Sequence, residues 1–274
     1  MDKPEVNSCD ISSWQEFKTH VSSLRGWAFR GQSDAAWPLY STLSRYLLGQ
    51  RVHEQAWTIM EERILRIFKR KAHLYASDLP DEADSFEWLA LMQHHGAPTR
   101  LIDFTWSPYV AAFFALERAT RDVAVWAVFP TELAGADKYR TIRASQRDAA
   151  NELGPWIPGN YEKHFLPGDK QLAVIGEPRR MNRRLVSQSG TFLTPGSIKV
   201  PAESILPPIA VKKLIIRTEG VRRDAMEDLY SMNINNATLF PGLDGMARSL
   251  AYELEYHWGF NPITMEIFGN FHLD

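Results

Sequence analysis

An α+β fold is predicted by the order and the patterning of the chain's segments. Segments with strand character and segments with helix character follow one another in a mixed, irregular order instead of repeated strand–helix units. Apolar residues, 45% of the 274, recur at helical spacing in some segments and gather into short β-branched or aromatic runs in others. The charged share of 23% is that of an ordinary globular protein. A chain of this length buries a substantial core either as one large domain or as two small ones.

Composition removes several function classes. No run approaches the ~18 consecutive apolar residues of a membrane span, and the opening Met1-Asp2-Lys3-Pro4-Glu5 has neither a basic start nor an apolar core, so neither a membrane anchor nor export is expected and the chain is placed in the cytoplasm. The lone cysteine, Cys9, excludes an internal disulfide and a cysteine-based zinc site. A net charge of -2 argues against a general polyanion binder while leaving room for a local basic patch.

Residues 12–24 place Trp14, Phe17, Val21 and Leu24 on one face of an amphipathic helix. Residues 27–32 read as a short strand carrying Arg30 near its end, with Gly31 permitting close backbone approach. By residue type alone Arg30 suits a structural ion pair or an anion clamp. Residues 41–45 begin a further short helix that brings Arg45 towards the same edge. Residues 54–76 carry Trp57, Met60, Ile64, Ile67, Phe68 and Tyr75 at helical spacing with a basic C-terminal end, which suits a solvated face completing the helix dipole. An acidic, proline-containing loop covers residues 78–84.

Asp84 and Glu87 form a capping-box pattern for the next helix, which Gly96 and Pro98 end. His94 and His95 lie in its last turn. On a helix their side chains diverge by about 100°, which disfavours shared metal ligation and points His95 at a pocket with His94 packed or capping. Residues 99–105 are a connector or strand, and a buried helix opens with Ser107 as N-cap and Pro108 at its first position. Residues 123–129 read as a buried strand. Residues 131–170, polar and rich in Gly and Pro towards the end, form a candidate insertion or lid. Arg179, Arg180, Arg183 and Arg184 make the densest basic cluster, followed by an expected strand over 185–193 with Gln188 on it and Gly190 at a bulge. A strand at 211–217 and helices at 221–232 and 242–256 complete the chain.

The stretch Gln93–Leu116 concentrates histidines, Arg100, Asp103 and hydroxyls between two helices, which makes it the first candidate for a site. There is no glycine-rich phosphate loop of Walker or dinucleotide type, no Gly-x-Ser-x-Gly elbow and no His-Glu-x-x-His helix.

Phe29-Arg30-Gly31-Gln32 with Trp37, Leu39 and Arg45, the run from Gln93 to Thr105, Gln188-Ser189-Gly190-Thr191-Phe192, and the run from Leu239 to Gly245 resemble the FRG domain family, whose pattern extends over about residues 12–255 of a single domain filling 1–274. More distantly, an arginine ending an early strand, a hydroxyl-rich turn into a helix and a polar residue beside a later strand are similar to the Arg-Ser-Glu layout of ADP-ribosyltransferases. That similarity implies a split β core with surrounding helices and consumption of NAD as co-substrate, with no metal. Arg30 would clamp phosphate, Thr105 would be the hydroxyl and Gln188 would stand where a glutamate is usual. A neutral amide cannot act as a base, so His95, Asp103 or Glu177 would supply that function. Gly31, Gln32, Arg45, Thr99, Arg100 and Phe192 would join Arg30 in cofactor contacts. The reading is an ADP-ribosyltransferase, a toxin or phage-defence effector modifying RNA, DNA or protein, with an antitoxin protein as a further partner and Arg179, Arg180, Arg183 and Arg184 leading nucleic acid into the pocket. The alternative is a binding module that recognises a nucleotide or partner chain without catalysis.

Overall fold

The computed structural model describes residues 6–133, 152–256, 260 and 264–267. Seven strands, β1 (Asn7–Ile11), β2 (Ala28–Gln32), β3 (Ile102–Thr105), β4 (Val123–Val128), β5 (Asp169–Gly176), β6 (Gly190–Ser197) and β7 (Val211–Ile216), form one mixed sheet in the order β1-β7-β4-β2-β3-β6-β5. The pairing of β1 with β7 is parallel and all the other pairings are antiparallel. The helices are α1 (Trp14–Ser22), α2 (Thr42–Gly49), α3 (Trp57–Ala72), α4 (Ser85–His94), α5 (Pro108–Leu116), α6 (Arg183–Ser187), α7 (Arg222–Ser231), α8 (Asn236–Leu239) and α9 (Leu243–Tyr256). The chain is a single α+β domain. Among the described residues no helix is long and apolar enough to cross a membrane.

The core follows from strand alternation. All of β4 is buried, Val123, Val125 and Ala127 packing with α1, α5 and α7 while Ala124, Trp126 and Val128 face the other side of the sheet, so the continuous apolar run is a strand covered on both faces. Helix α5 crosses β2 closely because residue 31 is glycine: a Cβ there would overlap the backbone of Ala111 and Ala115. Ser107 caps α5 by accepting from the Val110 amide at 3.3 Å, with Pro108 in its first turn.

Strands β2 and β3 are neighbours through a single register pair, Phe29 with Thr105, whereas β2 makes five pairs with β4 and β3 makes four with β6. Beyond Phe29 the two strands part, and the sheet is split between residues 30–32 and 102–104.

Three expectations change. The segment 185–193 is not one strand: Asn182 accepts from the Leu185 amide at 2.9 Å and starts α6, and Ser189, at φ 46°, turns the chain into β6. The cap overrides the β-prone Leu-Val-Ser run, and Gln188 becomes a helix C-cap. Asp84 caps α4 by accepting from the Glu87 amide, but the Glu87 carboxylate accepts from the Arg179 amide instead of closing a capping box. Of the candidate insertion at 131–170, residues 134–151 lie outside the described residues, while Tyr161, His164 and Phe165 are buried in a π-helical turn. Strands β1 and β5 carry no pattern the sequence reading recognised.

A buried polar network ties these parts together. Arg100, fully buried, makes a bidentate pair with Glu61 of α3, with Nε to Oε1 at 2.6 Å and Nη2 to Oε2, and its Nη1 donates to the carbonyls of Phe165 at 2.5 Å and Pro195 at 3.2 Å. Tyr161 donates to Glu61 at 3.0 Å. Every face of this guanidinium is consumed by the fold.

Candidate functional site

The split between β2 and β3 opens into a cavity of about 220 Å³ lined by Phe29, Arg30, Gly31, Asp103, Thr105, Phe114, Arg184 and Gln188. A smaller recess lined by Gln93, His94, Asn182 and Phe192 adjoins it, and Asp103, Arg184 and Gln188 line both. Residues far apart in sequence therefore share one cleft.

Arg30 sits in the split with its side chain 16% exposed. Its Nη1 donates to the Asp103 carbonyl at 2.7 Å, the Asp103 carboxylate lies 3.9 Å away, and its buried Nε has no partner. Burial pushes the Arg30 pKa down, Asp103 opposes that, and repulsion from Arg45 adds to it. A cation with one carbonyl, one distant carboxylate and an orphaned donor is under-neutralised, and an anionic ligand in the cavity would supply what it lacks.

Asp103 is held for the cleft by two residues behind it. The Thr99 hydroxyl donates to Gln93 Oε1 at 2.6 Å, which fixes the amide so that Gln93 Nε2 donates to Asp103 Oδ2 at 3.0 Å. Thr99 is itself buried and also accepts from the Leu101 amide. It orients Asp103 through Gln93, and a ligand in the cleft would meet Asp103.

The Thr105 hydroxyl donates to the Gln188 carbonyl at 2.6 Å and accepts from the Ser107 amide at 3.0 Å. Gln188 Nε2 donates to the Leu239 carbonyl at 3.0 Å, which docks the C-terminal end of α8 onto the C-cap of α6. On the cleft wall the Arg184 guanidinium lies over Phe240 at 4.8 Å, Arg248 lies over the same ring at 5.2 Å, and Phe240 meets Phe114 edge-on at 5.9 Å.

Several sequence candidates fall elsewhere. Arg100 belongs to the buried network and lines neither the cleft nor the recess beside it. Gln32 shares the face of Arg30, two positions along β2, but is buried against Trp126, whose Nε1 donates to its Oε1 at 2.7 Å, and it lines neither the cleft nor the recess. His94, not His95, lines the recess: His95 is the exposed C-cap residue of α4. Burial, then repulsion from His95 and Arg184, lowers the His94 pKa, so this imidazole is more readily neutral than an ordinary histidine. Glu177 accepts from Trp106 Nε1 at 2.5 Å. Arg45 is exposed on α2 and touches the site through its field on Arg30.

The cluster at 179–184 does not form one path. Arg180 pairs with Asp78 at 2.5 Å on the surface, Arg179 and Arg183 are exposed, and Arg184 alone of the four lines the cleft. Sequence reasoning missed Gln93, Phe114 and Phe240 as cleft-building residues. Gln93 and Phe240 lie inside recognised motifs, but nothing in their residue types announced the contacts they make.

The family model of the FRG domain matches residues 25–123. This chain carries an FRG domain. The match is narrower than the expected 12–255 and runs from just before β2 to the start of β4, so the FRG domain contributes Arg30, Gly31, Gln93, His94, Asp103 and Thr105, while Arg184, Gln188 and Phe240 come from the chain that follows it. No curated protein and no solved structure matches the chain.

Proposed function

We propose that the cleft binds NAD and that the protein is an ADP-ribosyltransferase acting on a macromolecule. The observation that carries this reading is Arg30: a buried guanidinium in a split sheet, short of partners, beside a cavity whose other walls hold a carboxylate, an amide and an aromatic ring. A diphosphate would complete the guanidinium's hydrogen bonds, and Arg184 would add a second positive charge. Phe114 offers a ring against which a flat base can pack. At about 220 Å³ the cavity holds a nucleotide fragment, and the rest of a dinucleotide would extend over the open side towards Arg45 or the His94 recess.

The transfer would break the bond between the ribose anomeric carbon and the nicotinamide nitrogen, which leaves with the bonding pair, while an acceptor oxygen or nitrogen forms the new bond and gives up a proton. In this reading Asp103 faces the positive charge developing on the ribose and His94 receives the proton, because Gln188 is neutral and its Nε2 already donates to Leu239. The toxin or defence role, and an antitoxin partner, belong to the same proposal. A non-catalytic nucleotide-binding module is favoured by one observation, the Thr105 hydroxyl, whose proton is committed to the Gln188 carbonyl.

Titrating NAD into purified protein by calorimetry tests the site. Micromolar or tighter binding to the native chain that weakens at least tenfold in Arg30→Ala is expected, from losing a charge-assisted bond of roughly 1.5–3 kcal/mol. Equal affinity in both proteins would end the assignment.

A further inference from the structure

A second concave surface lies outside the cleft, against α3. Ile64, Ile67, Phe68 and Tyr75 form one wall, and Met92 and Pro98 form the other, around an almost wholly apolar hollow of about 310 Å³. Tyr75 is 88% exposed and Ile67 39%, so the groove presents side chains that an isolated chain would bury. On α3 the lining residues recur at 64, 67, 68 and 71, a helical stripe of about 10 Å at 1.5 Å per residue that Tyr75 prolongs from the turn after the helix, long enough for two turns of a partner helix.

Charge identifies the kind of partner. Lys71 stands on the rim, and Arg63, Arg66 and Arg70 run along the flank of the same helix, all exposed. Among the described residues none of these four cations has a hydrogen bond or an acidic partner, and Glu62 is the one acid exposed on α3. The neighbouring Lys69 is different, since it donates to the Glu82 carbonyl and lies over Trp88. We propose that this groove docks an amphipathic helix of another protein, with apolar anchors entering the hollow and acidic side chains facing Arg63, Arg66, Arg70 and Lys71. An almost wholly apolar floor with its cations confined to the rim suits an amphipathic peptide better than a nucleic acid, whose bases and phosphates need polar contacts along the floor.

The test uses the full chain and two fluorescently labelled 14-residue helical peptides with leucines at i, i+4, i+7 and i+11, one bearing glutamates on the flanking face and one bearing lysines there. Anisotropy should show the acidic peptide binding at least tenfold more tightly, with affinity falling as salt rises. Ile67→Asp and Tyr75→Ala, both exposed positions that leave the fold intact, should each abolish binding, and Arg66→Gln with Arg70→Gln should reduce it several-fold. Equal binding of the two peptides, no binding, or binding indifferent to Ile67→Asp would overturn the proposal. So would displacement of the peptide by a 20-nucleotide single-stranded RNA at equal concentration, which assigns the surface to nucleic acid. A peptide-free doubling of mass in solution that Ile67→Asp removes assigns it to a second copy of this chain.

Discussion

Arg30 and Arg100 show how little residue type says about role. Both lie beside a carboxylate, yet Arg100 is fully buried with every nitrogen engaged, while Arg30 is partly exposed and keeps an orphaned Nε at the edge of a cavity. Opposite outcomes on substitution follow. Arg30→Ala should leave the denaturation midpoint near that of the native chain, because it removes an under-paired cation, and Arg30→Lys should rescue little NAD affinity because lysine lacks the planar fork. Arg100→Ala should strand the Glu61 carboxylate in the core and cost about 3–5 kcal/mol in urea denaturation, a loss that replacing both partners by apolar residues would largely recover. At His94 the lowered pKa has a sign that can be checked. The unfolded chain takes up this proton first, so stability should fall as pH drops below about 6.5 towards the folded value and level off beneath it, and His94→Gln should flatten that slope. His95→Ala should affect neither stability nor turnover, the reverse of what their order along the helix suggests.

At the scale of elements, the split between β2 and β3 makes the cleft, and it depends on one tight packing. Gly31→Ala would force α5 away from β2, with an expected destabilisation of roughly 1–3 kcal/mol and a loss of NAD affinity larger than for any surface change, measurable by denaturation and calorimetry on the same variant. The individual elements were legible where local chemistry decides them: the caps at Ser107 and Asp84, the apolar run of β4, and the Gly96 turn at φ 80°. They were not legible where distant pairing decides. Strand β1 is polar and becomes a strand by pairing with β7, some two hundred positions along the chain, and α6 forms because Asn182 caps a segment whose residues favour extended structure. The Arg30 motif stands out in the sequence, whereas Arg184 is one of four clustered arginines there; the cation–π contact with Phe240 that places it on the cleft joins residues with no sequence relation.

For the molecule as a whole, the FRG domain supplies one side of the cleft and the rest of the chain supplies the other. The acceptor would approach on the Arg184 side. If it is nucleic acid, Arg184→Gln should weaken transfer and lower its salt dependence by about one unit of log–log slope, while Arg180→Gln, which breaks only an exposed pair with Asp78, should cost at most about 1 kcal/mol of stability and leave transfer unchanged. The most direct measurement of the central claim is incubation of the purified chain with NAD radiolabelled in the adenylate half and a mixture of cellular RNA, DNA and protein, following free nicotinamide and covalent label together. The account predicts nicotinamide release with label attached to one class of macromolecule, removable by the matching nuclease or protease, and both signals lost in Arg30→Ala and Asp103→Asn. NAD recovered intact after prolonged incubation with the native chain would contradict it.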